Sequence, residues 1–209
     1  MRLAIASPRP VPSDFVEKYG VDAVRYFLMR EMVLGADANF TEESFIKRYN
    51  SDLANDFGNL LNRVSGFITK NFDGNVPEAS KTTSDDDMIQ GIVVNLRNRV
   101  NQKIQEFKIH EAIDDIIGYV GMANKYLEQQ APWKVAKEDR QRAGTILYNS
   151  CEALRICAVF LKPVMPLKAQ AVLTILSAND SGLTWGELKP GTKLQAHDAL
   201  FPRIELEKK

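Results

Sequence analysis

Cysteine and histidine are scarce in this sequence, and both scarcities exclude classes of site. The only cysteines, Cys151 and Cys157, lie six residues apart in an apolar helical pattern. That spacing suits neither a disulfide framework nor a Cys-x-x-Cys metal site, so we expect a reduced, cytoplasmic chain without a bound metal. The only histidines, His110 and His197, are far apart and stand in no nucleophile or metal motif. We expect both to be ordinary surface or capping residues.

The sequence also lacks an excess of charge and a long apolar run. Lysine and arginine number 27, as do aspartate and glutamate, so the formal net charge is zero. No overall basic field attracts nucleic acid from a distance, and any RNA binding must depend on a local site. The apolar start of the chain is too short for a signal peptide, and no stretch approaches membrane-spanning length. We therefore expect neither a membrane partner nor a DNA partner.

Glycine-rich phosphate loops are missing as well. The 12 glycines form neither Gly-x-x-x-x-Gly-Lys nor Gly-x-Gly-x-x-Gly, the two loops that hold nucleotide phosphates. The residues therefore predict no catalytic group and no cofactor in this chain.

Apolar residues recur at three- and four-residue steps along most of the chain, and no sustained alternation predicts strands. The sequence predicts an all-α fold, an up-and-down helical bundle. We expect an extended lead-in over 1–12, where three prolines exclude helix, a short helix pair over 13–40, a bundle over 41–178, and an extended tail over 179–209 that packs on the bundle. A long helix is expected from a cap at Thr41 to Lys70, and Asp85, Asp86 and Asp87 are expected to stabilise a helix N-terminus.

One face of the long helix is polar but barely charged. Asparagine is a mediocre helix former, so its repetition on one face needs a reason. A carboxamide and a guanidinium one turn apart, Asn59 and Arg63, have the donors and acceptors to recognise a base edge. The alternative, at least as well supported by the residues alone, is that the amides bond to a neighbouring helix or to water. The residues on this face are Asn55, Asn59, Asn62, Arg63 and Gly66.

A second candidate is Trp133, which follows Pro132 and precedes the basic Lys134 and Lys137. A proline turn and a brief helix over 133–137 would hold the indole as a plate on which an unpaired base stacks. A tryptophan beside a proline also commonly fixes how two helices pack, and from this residue alone packing is the better-supported interpretation.

Four runs together resemble the region that follows the catalytic domain in bacterial methionyl-tRNA synthetases. They are YGVDAVRYFL at 19–28, NSDLANDFGNLLNR at 50–63, YLEQQAPWK at 126–134 and LFPRI at 200–204. The resemblance covers about residues 13 to 205 in the same order and spacing. The first and third runs resemble other class I synthetases too, whereas NDFGNLLNR is more particular to the methionine enzymes.

The resemblance implies a helical bundle of the class I synthetase anticodon-binding type, with the catalytic domain of the parent synthetase and tRNA(Met) as partners. It assigns Asn59 and Arg63 to the wobble cytosine of a CAU anticodon and Trp133 to stacking on an unpaired anticodon base. Asn55, Asn62, Pro132 and Lys134 are possible supporting residues, and 13–40 corresponds to the module that connects the catalytic domain to the bundle.

The departures from the family concern catalysis. The Lys-Met-Ser-Lys-Ser loop, the His-Ile-Gly-His signature and the cysteine knuckle of these enzymes are absent from the sequence, as is the C-terminal oligonucleotide-binding appendage of some members. ATP and methionine would bind a catalytic domain outside this chain, so we expect no aminoacylation by the chain alone. The competing hypotheses are a helical scaffold for protein contacts and the anticodon-binding domain of another class I synthetase.

Overall fold

The computed structural model describes residues 12–36, 40–80, 82–179 and 182–205, and the described part is all-α. Within those ranges the only β-pairing is an isolated antiparallel bridge between Asn75 and Lys193. The helices are α1 Pro12–Tyr19, α2 Val21–Glu31, α3 Glu42–Arg48, a π-helical segment Tyr49–Gly58, α4 Asn59–Asn71, α5 Ser84–Gln105, α6 Ile109–Gln130, α7 Pro132–Val135, α8 Arg140–Leu161 and α9 Pro166–Ile175. The predicted all-α class is confirmed.

The start of α1 corrects one expected boundary. The predicted lead-in over 1–12 lies outside the described residues except for Pro12, and Pro12 is the first residue of α1. Proline suits the first helical position, where no intrahelical partner awaits its missing N–H. Gly20, at a φ of 85°, then separates α1 from α2. The other domain boundaries stay predictions.

Local capping chemistry sets several helix starts, among them the start that was expected after Thr41. Thr41 and Ser44 form a reciprocal capping box at α3, in which the Thr41 hydroxyl accepts from the Ser44 N–H at 3.1 Å. The Asp139 carboxylate accepts from the Arg142 N–H at 3.0 Å at the start of α8. Thr83 and Asp86 cap α5, which confirms that the aspartates stabilise a helix N-terminus.

The core lies between α5, α6 and α8, with α4 and the π-helical segment packed against them. Helix α8 is buried along most of its length, and both cysteines are buried and free. The spacing of apolar residues in the sequence predicts a buried stripe through Met88, Ile92, Leu96, Val100, Ile104 and Phe107. This prediction is wrong at both ends, because Met88, Ile104 and Phe107 are exposed, and Ile89 and Val93 are buried instead. The buried face is therefore rotated by one residue at the N-terminal end, toward Tyr119, whose hydroxyl donates to the Ile89 carbonyl.

The C-terminal segment, residues 182–205, is irregular and packs along the bundle through buried Leu188, Leu194 and Phe201. A buried charged pair holds its beginning, since the Arg155 guanidinium donates to Glu152 and to the Gly182 carbonyl. No helix in the described part of the chain has the length and apolarity to cross a membrane. The same residues contain no group of three or more metal-ligating side chains.

Candidate nucleic-acid interface

The polar face identified in the sequence begins in a wide helical turn. Residues Tyr49–Gly58 form a π-helix between α3 and α4, where a regular α-helix was expected. A Cβ on Gly58 would lie 2.9 Å from the Leu53 carbonyl oxygen and 3.4 Å from the Phe201 Cβ. Glycine at this position therefore lets the π-helix, the start of α4 and the C-terminal segment approach one another.

The asparagine face points to solvent. Asn55, Asn59 and Asn62 are exposed, while Leu60 and Leu61 between them are buried. None of the three side-chain amides makes a hydrogen bond to another residue in the described part of the chain. Bonding to a neighbouring helix, one alternative left open by the sequence, is therefore not what the structure shows. The three amides keep their donors and acceptors available to a ligand or to water.

The Arg63 side chain contacts two residues outside its own helix, Trp133 and Glu128. Its guanidinium carbon lies 5.1 Å from the centroid of the Trp133 ring. Its Nη2 donates to the Glu128 carboxylate at 2.5 Å. The stacking and the ion pair together fix the plane of the guanidinium, whose side chain is 30% exposed. One helical turn away, Asn59 adds an exposed amide to the same face of α4.

The loop that presents Trp133 is built from an unusual turn. Ala131 ends α6 in the left-handed region with a φ of 42°, and the buried Pro132 starts α7. The indole is half-buried and packs partly against the core, while Lys134 and Lys137 are exposed beside it. One part of the indole therefore packs as a structural residue would, and the rest stays open to solvent, where stacking on a base stays a prediction.

A buried polar network stabilises the end of α6, next to the turn that presents Trp133. Asp86 is fully buried and accepts hydrogen bonds from Tyr126, from Arg142 at 2.6 Å and from Asn149 at 3.0 Å. Burial alone would raise the pKa of this carboxyl, but the hydrogen bonds from Tyr126 and Arg142 lower the pKa below its usual value. Arg142 also donates to the Gln130 side chain at 2.6 Å, so the network reaches the last residue of α6.

The predicted site residues fall into two adjoining depressions and not into a single pocket. One, of about 280 Å³, includes Arg63, Trp133, Pro132, Gly66 and Lys70 in its lining. The other, of about 410 Å³, has Asn55, Asn59 and Asn62 on one side and the C-terminal segment on the other. Since Asn59 and Arg63 are one turn apart on α4, the two depressions form one strip along the helix.

Sequence reasoning missed several residues of this strip. Glu128 belongs to the YLEQQAPWK run, but nothing local indicates that its carboxylate reaches Arg63, 65 positions away. Phe201 and Arg203 belong to the LFPRI run, whose position against the asparagine face depends on long-range packing. His197 also has a partner that was not expected of a surface residue, because its Nε2 lies 2.9 Å from the Ser65 hydroxyl of α4.

Comparisons with known proteins agree on one family. Residues 76–209 match the family described as the anticodon binding domain of methionyl tRNA ligase, and residues 10–65 match class I tRNA synthetases of the M type. A methionine–tRNA ligase from Caldanaerobacter subterraneus is 40% identical over 204 residues, covering 94% of this chain and 32% of that protein. One from Mycobacterium leprae is 39% identical over 202 residues, covering 93% of this chain and 38% of that protein.

Solved structures agree with the sequence relatives. The apo form of Mycobacterium tuberculosis methionyl-tRNA synthetase superposes with a TM-score of 0.89 at 34% identity, covering 96% of this chain and 42% of that one. The same enzyme in complex with methionyl-adenylate gives a TM-score of 0.87 at 36% identity, covering 92% and 40%. This chain spans about a third of the length of the curated relatives that it matches.

Proposed function

Since the chain belongs to the methionyl-tRNA synthetase family, we propose that it binds the anticodon loop of tRNA(Met) and recognises the CAU anticodon through Asn59, Arg63 and Trp133. The observation that carries this proposal is the position of the Arg63 guanidinium over the Trp133 ring, one helical turn from the exposed amide of Asn59. The strip therefore combines a planar donor fork, an amide and an aromatic plate, the groups with which proteins recognise single-stranded bases.

Each side chain has a distinct part in this proposal. The Asn59 amide and the Arg63 fork hydrogen-bond the edge of the wobble cytosine, and the open part of the Trp133 indole stacks on an unpaired neighbouring base. Pro132 fixes the position of the indole, and the exposed Lys134 beside it contacts the RNA backbone. Arg63 must exchange its ion pair with Glu128 for the base, and an ion pair with a mostly exposed carboxylate is weak enough to be exchanged.

Aminoacylation belongs, in this proposal, to the catalytic segment of the parent protein. The relatives are methionine–tRNA ligases, and this chain covers about a third of their length. We expect ATP and methionine to bind outside this chain, and the purified chain to show no methionine-dependent ATP–pyrophosphate exchange. A cytoplasmic location is part of the same proposal.

Binding of RNA stem-loops by the 209-residue chain tests the proposal. We expect Trp133→Ala to lose about 1–3 kcal/mol for an RNA with a CAU loop, because stacking on one base is lost. Asn59→Ala should lose a similar amount, about 1–3 kcal/mol, and changing the wobble cytosine should do the same. Arg63→Lys should also weaken binding, because an ammonium cannot replace a planar fork.

The matched controls lie on α5, where Asn95→Ala and Arg97→Lys change exposed residues that line neither depression. Their affinity for the CAU stem-loop should equal that of the unmodified chain. Equal affinity for all variants and all loop sequences would contradict the proposal. Capture of a protein partner without RNA, unaffected by Asn59→Ala, would favour a helical scaffold instead.

A further inference from the structure

The C-terminal segment forms one wall of the asparagine depression, and a free cation stands on that wall. Arg203 is exposed and borders two adjoining depressions, one with Asn55, Asn59 and Asn62 and one with Lys47 and Asn50. It makes no hydrogen bond or ion pair with any residue that the structure describes. An unpaired guanidinium beside exposed amides is a group available to an anionic ligand.

The backbone of this segment is firmly held although it is not helical. The Asn50 amide makes two hydrogen bonds to Ile204, donating to its carbonyl at 2.7 Å and accepting from its N–H at 2.9 Å. Phe201 is buried, with its ring 6.0 Å from that of Phe57. Lys168 donates to the Leu200 carbonyl at 2.8 Å. Contacts on both sides therefore fix the Cα position of Arg203 relative to Asn59 and leave only its side chain free.

The charges around Arg203 favour the binding of an anion on one side of its side chain. Glu43 and Asp56 line the depression toward α3, together with Lys47. The depression toward Asn59 has neutral amides, apolar groups and Arg203 in its lining, without a carboxylate. An anion therefore meets the least repulsion between Arg203 and the asparagines. Asn55 borders both depressions and lies eight positions before Arg63.

We propose that Arg203 binds a phosphate of the same RNA whose unpaired bases contact Asn59, Arg63 and Trp133. This inference rests on the proposed function and extends the interface from α4 and α7 to the C-terminal segment. A phosphate contact carries no sequence information but fixes the register of the strand, so Arg203 positions the bases that the other residues recognise. The partner is the backbone of an RNA loop or of the stem next to it.

Affinity as a function of salt separates this role from base recognition. With a CAU stem-loop and the same RNA carrying a changed wobble base, Arg203→Ala should weaken binding by roughly threefold to tenfold for both RNAs alike. The slope of log affinity against log salt should become less steep by about 0.7 to 0.9, the value of one phosphate contact. Arg203→Lys should keep most of the affinity, because a point charge suffices for a phosphate.

Arg97→Ala, which removes an exposed arginine of α5, is the matched control and should change neither the affinity nor the slope. Unchanged affinity and slope for Arg203→Ala, while Asn59→Ala and Trp133→Ala still weaken binding, would overturn this inference and leave the proposed function standing. A loss confined to the CAU loop would overturn the phosphate assignment, since it would make Arg203 a base-reading residue. If the unmodified chain binds neither RNA, both proposals fail.

Discussion

Replacing Gly58 with alanine tests whether the π-helix and the C-terminal segment depend on close approach at this glycine. The added methyl group would lie 2.9 Å from the Leu53 carbonyl oxygen and 3.4 Å from the Phe201 Cβ. The nearer atom belongs to the backbone, so no side-chain rotation relieves the contact. Either the helix must change its turn or the C-terminal segment must move away.

Two opposing effects set the change in the free energy of unfolding that Gly58→Ala should cause. Alanine in a helix interior is favoured over glycine by about 0.8–1.0 kcal/mol. Overpacking a well-packed site costs about 1–3 kcal/mol. Gly66, eight positions further along the same continuous helical run, has nothing within 4 Å of an added Cβ. Gly66→Ala therefore experiences only the favourable term, and the difference between the two variants isolates the cost of the contact at about 1–3 kcal/mol.

Urea unfolding followed by circular dichroism measures this difference. We expect Gly66→Ala to have a higher urea midpoint of unfolding than the unmodified chain. The midpoint of Gly58→Ala should lie below that of Gly66→Ala, with unchanged m-values. In thermal unfolding the pair should differ by about 2–4 °C for each kcal/mol in a chain of this size. Gly58→Ala should also weaken RNA binding, because it displaces the Phe201 side of the asparagine depression. Equal stability of the two variants would refute the close-approach explanation of Gly58.

Two further substitutions test the charges at and behind the interface. Glu128→Gln removes the exposed partner of Arg63, so the free energy of unfolding in urea should fall by less than about 1 kcal/mol. Affinity for the CAU stem-loop should rise by up to about fivefold, because Arg63 no longer has to leave an ion pair. Weaker binding would instead make Glu128 a residue that positions Arg63 for RNA. Asp86→Asn removes the buried partner of Arg142 and should cost about 3 kcal/mol at pH 7. Because Tyr126 and Arg142 hold the pKa of Asp86 below its usual 3.8, the unmodified carboxyl stabilises the fold above that pH and loses this effect as the pH falls through the lowered pKa. The stability gap between the two proteins should therefore narrow only in acid below about pH 4, and a gap that urea unfolding finds equal at pH 7 and pH 3 would contradict this role.

The elements that local chemistry specifies could be predicted from the sequence. Thr41 and Asp139 cap helices because short polar side chains satisfy free N–H groups at the positions where they occur. Pro132 begins a helix for an equally local reason. The π-helical segment could not be predicted this way, because its wide turn is matched to a contact with Phe201, more than 140 positions away from Gly58. The rotated face of α5 likewise depends on which helices cover it.

In the candidate site, too, features that depend on local sequence could be predicted and those that depend on long-range packing could not. The outward direction of Asn59 and Arg63 follows from helical periodicity and is found in the structure. The contact of Arg63 with Trp133 and Glu128 depends on how α4 packs against the end of α6, which periodicity does not specify. The sequence predicts a C-terminal tail that packs on the bundle, but not that Arg203 faces the asparagines, because an irregular segment has no period from which its partners could be inferred.

If the chain binds RNA as proposed, its equal numbers of acidic and basic residues require contacts that act over short distances. Its formal net charge is zero, so long-range attraction supplies little of the association rate. The cations that face the strip are few, and one of them, Arg63, is paired with a carboxylate until a ligand displaces it. A weak salt dependence, with about 0.7 to 0.9 of slope for each phosphate contacted, is therefore expected of the whole chain. Most of the affinity would then come from stacking and base-edge contacts, which change with the RNA sequence. Such an interface would discriminate among anticodons, whereas a strongly basic surface would hold any RNA.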